Sequence, residues 1–149
     1  MVDGEPVIFE LLDGVIKDEN DLPREEVIQW ADAFLLVYSI TDRSSFNFIK
    51  TLRQHIYETK TTPKDYSQGS MVQFPISIVA NKCDLMHLRQ VSFEEGEILS
   101  KDLDGIFTEL SAAEHVSKVI DAFCDLCREV HAARRRSKQS LLERMLGKK

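Results

Sequence analysis

The sequence predicts an α/β fold built on a mostly parallel sheet. Three short apolar runs, Phe34–Ile40, Ile76–Ala80 and Ile106–Leu110, are rich in β-branched and aromatic residues. Runs of this kind are strands, and those without alternation are buried on both faces. Stretches with helical spacing separate them: Phe46, Ile49, Leu52 and Ile56 lie on one helix face, and Ser92-Phe93-Glu94-Glu95 reads as a capping box opening another helix. Polar residues gather just past two of the runs, Asn81-Lys82-Cys83-Asp84 after the second and Ser111-Ala112 after the third. Those places are the carboxyl edge of a sheet, where open α/β folds bind their ligands.

At 149 residues the chain is long enough for one domain with a real core. Its 43% hydrophobic and 30% charged residues are ordinary for a soluble globular protein. The net charge of −6 is unevenly spread. From Arg128 to Lys149 eight Lys or Arg stand against Glu129 and Glu143, a local +6 that leaves −12 on the preceding residues. The cysteines, Cys83, Cys124 and Cys127, are odd in number and form no disulfide framework, which fits a reducing cytosol. No signal peptide or long apolar run directs the chain into or through a membrane.

Taken in order, Asp3-Gly4 reads either as a hairpin turn or as part of a flexible N-terminus. A strand is expected over Pro6–Leu12, ending at Asp13. Asp21-Leu22-Pro23 looks like a helix start, with a short helix over Glu25–Trp30. The strand Phe34–Ile40 follows, then the helix opened by Thr41-Asp42-Arg43-Ser44. Thr59–Gly69, polar and punctuated by Pro63 and Gly69, reads as a surface loop. The capping-box helix runs to about Asp102. The last helix is expected to turn Val116, Val119, Ile120, Phe123, Cys127 and Val130 inward. Cys124, Cys127 and His131 share that helix, but Cys127 belongs to the apolar stripe and no fourth zinc ligand is near in sequence, so they read as packing residues. Residues 133–149 form a tail with a basic cluster and Leu141, Leu142, Met145 and Leu146, either an amphipathic helix for an anionic surface or partner groove, or a solvated extension.

Asn81, Lys82 and Asp84 form an Asn-Lys-x-Asp motif. A carboxylate two residues beyond a lysine can accept two N–H bonds from one edge of a guanine ring, the lysine stem can lie over the base, and the asparagine amide can tie neighbouring loops together. With Ser111-Ala112 at the next strand end, this resembles the guanine-base half of the Ras-like small GTPases. The resemblance runs from about Val2 to about His131, and Val37–Phe46, Arg89-Gln90-Val91-Ser92 with Glu94-Glu95-Gly96-Glu97, and Cys127-Arg128-Glu129-Val130 sharpen it. These segments look most like the branch of the Ras-related, estrogen-regulated growth inhibitor and its Ras-like neighbours.

The resemblance implies a Ras-like P-loop NTPase fold that is N-terminally incomplete, without the first strand, the phosphate loop, the first helix and the second strand. It also implies a partial GTPase domain over 1–132, GTP or GDP and Mg²⁺ as cofactors, GTP hydrolysis, and effector or regulator proteins as partners. Ser111 and Ala112 would offer backbone N–H groups to the base oxygen, and Ala113 stands where the family has a lysine packed on the base. Asp13 matches the family's magnesium-binding aspartate, while Ile16 and Lys17 occupy the positions of its glycine and catalytic glutamine. A lysine cannot accept a hydrogen bond from the attacking water, so no catalytic residue is assigned and the chain as written is expected to be inactive. The rival readings are a non-enzymatic pseudo-GTPase that binds partners and a truncated product with no independent role. Without a C-terminal prenylation box, a nucleic-acid motif or a spanning segment, a cytoplasmic or membrane-peripheral location is expected.

Overall fold

In the computed structural model the described residues are 1–61 and 74–147. Three parallel strands, β1 (Phe34–Ser39), β2 (Ile76–Asn81) and β3 (Ile106–Glu109), lie side by side in that order. Phe34 faces Ile76 and Tyr38 faces Ala80 across the first pair, and Ile78 faces Phe107 across the second. Every residue from Ile76 to Ala80 is buried, as expected of a strand covered on both faces.

Helices cover the two faces. Ile76, Ile78 and Ala80, with Leu36 and Tyr38, meet Ile49, Leu52 and Ile56 of α2 (Arg43–Lys60) and Leu99 of α3 (Phe93–Asp102). On the opposite face Val79 and Leu110 pack with Ala122 of α4 (Val116–Met145). Two caps hold the first face in register. Asp42 accepts the N–H groups of Ser44 and Ser45 at the start of α2. Ser92 accepts the Glu95 N–H while Glu95 accepts the Ser92 N–H, the reciprocal bonds of the predicted capping box.

The short helix α1 (Glu25–Trp30) is where the sequence places it, with Ile28 fully buried in the α2 side of the core. The N-cap is Arg24, and Pro23 sits immediately before it. Side chains of α2 hold α1 down: His55 Nε2 is 2.8 Å from the Pro23 carbonyl, and Lys60 donates to the Ala31 carbonyl at 2.7 Å. Gln29 returns a bond to the Thr59 carbonyl at 2.7 Å. Thr59 and Lys60, expected in a loop, are therefore the last turn of α2, Thr61 is its C-cap, and residues 62–69 of that expected loop lie outside the described residues.

The N-terminal segment departs from expectation. Asp3-Gly4 does make a tight turn: both have positive φ, 52° and 84°, and Val2 and Glu5 exchange backbone bonds of 2.9 and 3.0 Å. Two consecutive positive φ values are those of a type I′ hairpin turn. Arg128 of α4 binds the Asp3 carboxylate at 2.9–3.1 Å, so the turn is pinned to the domain. The strand expected over Pro6–Leu12 does not form, although Phe9 meets Phe123 edge-to-face at 6.2 Å. The reason is the ladder. A strand exists only where a neighbour pairs with it, and among the described residues none lies beside this one, leaving Ile8 93% exposed.

The inward stripe of α4 is as predicted at Cys127, which is buried, and at Val119, which packs on Val79 and Leu110, and departs from the prediction at Val116 and Ile120. Val116 and Ile120 are exposed, and Ala122, Leu126 and Cys127 are the buried residues. Three strands offer α4 a narrow face, and small Ala122 lets the helix approach Val79 and Leu110. The helix then runs without a break through the basic cluster, so the first part of the tail is helical, with Leu141, Leu142, Met145 and Leu146 exposed.

Candidate functional site

The two polar clusters meet at the carboxyl ends of β2 and β3. Asn81 ends β2 and its side-chain Oδ1 accepts the Ala112 N–H at 2.9 Å. One amide thus bridges two loops 31 residues apart in the chain. Lys82 follows with φ 69° and ψ 32°, a left-handed conformation unusual for a lysine. That turn swings the chain off the sheet into a 3₁₀ segment, Cys83–Leu88, which carries Asp84 in its first turn. The Cys83 N–H donates to the Leu110 carbonyl at 3.2 Å and the Leu85 N–H to the Lys82 carbonyl at 2.9 Å. Lys82 and Asp84 are both exposed, free to meet a ligand, while burial pushes the neighbouring Cys83 thiol pKa up.

Ser111 is fully buried and Ala112 exposed. Neither backbone N–H of this pair is idle. Ser111 N–H donates to His115 Nδ1 at 3.1 Å, and Ala112 N–H goes to Asn81. A ligand oxygen that takes the Ala112 N–H must therefore displace the Asn81 carbonyl oxygen. That exchange frees the asparagine side chain to turn to the same ligand.

Two residues that the motif did not single out hold the loops in place. Arg89, just past the 3₁₀ segment, pairs with Glu109 at the end of β3 through bonds of 2.5 and 3.0 Å, and also donates to the Val91 carbonyl at 3.0 Å. His115 closes the Ser111 turn. No sequence periodicity signals the first contact, which joins residues 20 apart; the second is local, four residues along a turn.

Asp13 and Lys17 stand apart from this cluster. Asp13 is exposed in irregular chain, and Lys17 uses its backbone N–H on the Asp21 carboxylate at 3.3 Å. Ile16 packs against the α2 side of the core. Among the described residues no group of three or more His, Cys, Asp or Glu is placed to hold a metal ion. Cys127 Sγ lies 3.8 Å from His131 Nε2, and Cys127 is buried as a packing residue.

Comparison with known proteins decides the family. Residues 1–132 match the Ras family. The chain belongs to the Ras family. It is 37% identical over 136 residues to human (Homo sapiens) Ras-like protein family member 11A, covering 87% of this chain and 52% of that protein. It is 42% identical over 132 residues to Ras-like protein family member 11B of Danio rerio, covering 85% and 50%. Human Ras-related and estrogen-regulated growth inhibitor is 39% identical over 133 residues, covering 89% and 62%. The chain thus spans about half the length of the first two. The parallel α/β sheet with helices on both faces is a partial Ras-like fold. No helix among the described residues is long and apolar enough to cross a membrane.

Proposed function

We propose that this chain carries the guanine-base half of a small-GTPase nucleotide site and serves in Ras-type signalling. Asp84 accepts the base's N–H edge, Lys82 lies along the ring, and Ala112 N–H and Asn81 meet the oxygen-bearing edge. The observation that carries this reading is the Asn81–Ala112 bond of 2.9 Å, which holds the ends of β2 and β3 as one unit. Base contacts alone support only millimolar affinity, about −4 kcal/mol. Submicromolar binding of GTP or GDP in this family also uses a backbone N–H cradle and a lysine around the phosphates.

Hydrolysis is not assigned to these residues. Lys17 cannot orient water by accepting from it, and the lone exposed Asp13 does not fit a magnesium site by itself.

The test is a titration of the full chain with GMP, AMP and XMP, followed at the amides of residues 81–84 and 111–112 by NMR. GMP should shift these amides at millimolar concentration and AMP should not. Asp84→Asn should lower GMP affinity and admit XMP, because one acceptor becomes a donor facing the base. Unchanged selectivity in Asp84→Asn would remove Asp84 from the site.

A second reading, a non-enzymatic interaction protein, draws on α1. His55, Lys60 and Gln29 fasten that segment to α2, so it presents a fixed surface to effector or regulator proteins. The basic α4 extension with its exposed leucines favours an additional contact with an anionic membrane surface. Partner binding that persists in Asp84→Asn would support this reading over a nucleotide-gated one.

A further inference from the structure

Ser111 and His115 hold one another by two bonds. The His115 backbone N–H donates to the Ser111 carbonyl at 2.8 Å, and the Ser111 N–H donates to His115 Nδ1 at 3.1 Å. His115 is also the N-cap of α4, and its carbonyl accepts the Val119 N–H at 3.1 Å. An N-cap side chain ordinarily points forward to the second or third N–H of its helix. The ring of His115 makes no such bond. It turns back instead, to a residue that is fully buried and whose own hydroxyl is buried without a partner among the described residues.

We propose that His115 is a positioning residue for base recognition. By occupying the Ser111 N–H it directs a purine 6-oxo group to the Ala112 N–H, the next donor of this turn, and fixes where that donor points. The proposal rests on the base-recognition reading above. The two N–H groups differ in what it takes to release them. Ala112 gives up Asn81, an exchangeable side chain at the strand end, when a ligand oxygen arrives. Ser111 keeps His115, because a buried N–H stripped of its partner is costly. The ring must be in one tautomer: a Nδ1 that accepts a hydrogen bond carries no proton, so the neutral ring bears its proton on Nε2.

The consequence is a particular pattern of selectivity. GMP and IMP share the 6-oxo group, which faces the turn, and differ at the 2-amino group, which faces Asp84. His115→Ala should weaken GMP and IMP equally, by about three- to tenfold, the weight of one misplaced hydrogen bond. The ratio of GMP to IMP affinity should stay as it is. His115→Asn, whose side-chain carbonyl can accept the Ser111 N–H from an N-cap position, should restore both.

The experiment is an NMR titration of the full chain and the two variants with GMP, IMP and AMP, together with nitrogen-detected spectra of the His115 ring without ligand. The ring spectrum should show the proton on Nε2 and a hydrogen-bonded Nδ1. A proton on Nδ1 would overturn the proposal with no ligand involved, and this measurement also decides if His115→Ala fails to fold. Should the wild type bind GMP while His115→Ala binds it equally well, the proposal falls and base recognition stands. Should the wild type show no response to GMP at the 81–84 and 111–112 amides, base recognition falls and the proposal with it.

Discussion

Arg89 and Glu109 face each other across the two candidate base loops, with guanidinium-to-carboxylate bonds of 2.5 and 3.0 Å and side chains only 21% and 14% exposed. The geometry is the two-pronged one in which an arginine fork matches a carboxylate. The bond to Glu109 raises the Arg89 pKa further above its ordinary range, so the guanidinium keeps its charge. Arg89 continues from the segment bearing Asp84, and Glu109 lies two residues ahead of Ser111.

Breaking that pair should therefore cost stability and loosen both loops. Arg89→Ala leaves Glu109 a largely buried carboxylate without its partner and is expected to destabilise the protein by about 2 kcal/mol. Arg89→Met with Glu109→Met should recover much of the loss, because no charge is then stranded. Denaturant unfolding of both variants checks this. A double variant as unstable as Arg89→Ala would mean that packing, rather than a stranded charge, sets the cost.

Gly96 lets α3 lie close on the sheet. A Cβ at this position would stand 2.4 Å from the Phe107 ring and 2.6 Å from the Tyr38 hydroxyl. Both contacts are well inside van der Waals distance, and the two side chains come from β3 and β1, so neither moves without disturbing the sheet. Gly96→Ala gains about 1 kcal/mol of helix propensity. Overpacking at about 1–3 kcal/mol opposes it and wins. The expected result is a lower melting temperature, measured by circular dichroism; a higher one would show that α3 slides away freely.

Tyr38 packs edge-to-face on Phe46 at 5.1 Å, and its hydroxyl is buried with no hydrogen-bond partner among the described residues. Burial, aided by the charge of Glu109, pushes its pKa up to about 12 from 10.0. A raised pKa means that the neutral phenol is favoured in the fold. The associated stability is fully present below pH 10, and is lost as pH rises through 12. Tyr38→Phe should be neutral or slightly stabilising at pH 7, since it deletes an unsatisfied polar group. It should also remove the part of alkaline unfolding that falls between pH 10 and 12. Alkaline unfolding curves that coincide for the two proteins would assign that transition to other groups.

Glu95 behaves in the opposite sense. Hydrogen bonds from Arg43 first, and then from the Ser92 backbone, lower its pKa from 4.5 to about 2. A depressed carboxylate pKa adds stability above pH 4.5 that is lost as pH falls through about 2. Glu95→Gln should flatten the dependence of stability on pH across that window. It should leave the helix start formed, because a glutamine oxygen can still accept the Ser92 N–H. Urea midpoints at several acidic pH values measure the slope, and an unchanged slope would place the acid sensitivity elsewhere.

The order of elements was legible because the local signals agree with the packing. Ile49, Leu52 and Ile56 recur at helical spacing and all are buried, and Ser92 with Glu95 announced the start of α3 by chemistry that acts within one turn. Asn81 was legible as a bridge between loops because an amide at a strand end has few other uses. What failed depends on partners distant in sequence. Val7–Leu12 has strand composition, but composition supplies no ladder. Ala122 is too small to stand out in a hydrophobic pattern, yet it sets the face of α4 that meets the sheet. The Arg89–Glu109 and His115–Ser111 bonds were invisible in the sequence because neither follows a periodic pattern or a motif.

The outer edge of β1 leads to the last prediction. Phe34 and Ile40 send their N–H groups to the carbonyls of Pro75 and Asn81, on the β2 side. By the alternation of a strand, Leu35, Val37 and Ser39 send theirs to the other side. Ser45 Oγ takes the Ser39 N–H at 3.0 Å, but among the described residues no strand covers Leu35 and Val37. Val37 is 52% exposed, and no proline or charge interrupts Phe34–Ser39. An apolar, uninterrupted edge of this kind templates pairing with other chains. The wild-type chain is therefore expected to associate as its concentration rises and to bind a dye that reports exposed apolar surface. Val37→Lys should reduce both effects, since the side chain projects toward solvent and its charge opposes edge-to-edge stacking. Light scattering and dye fluorescence across a concentration series provide the measurement. A wild-type chain that stays monomeric and unfolds in one sharp transition would show that the edge is protected.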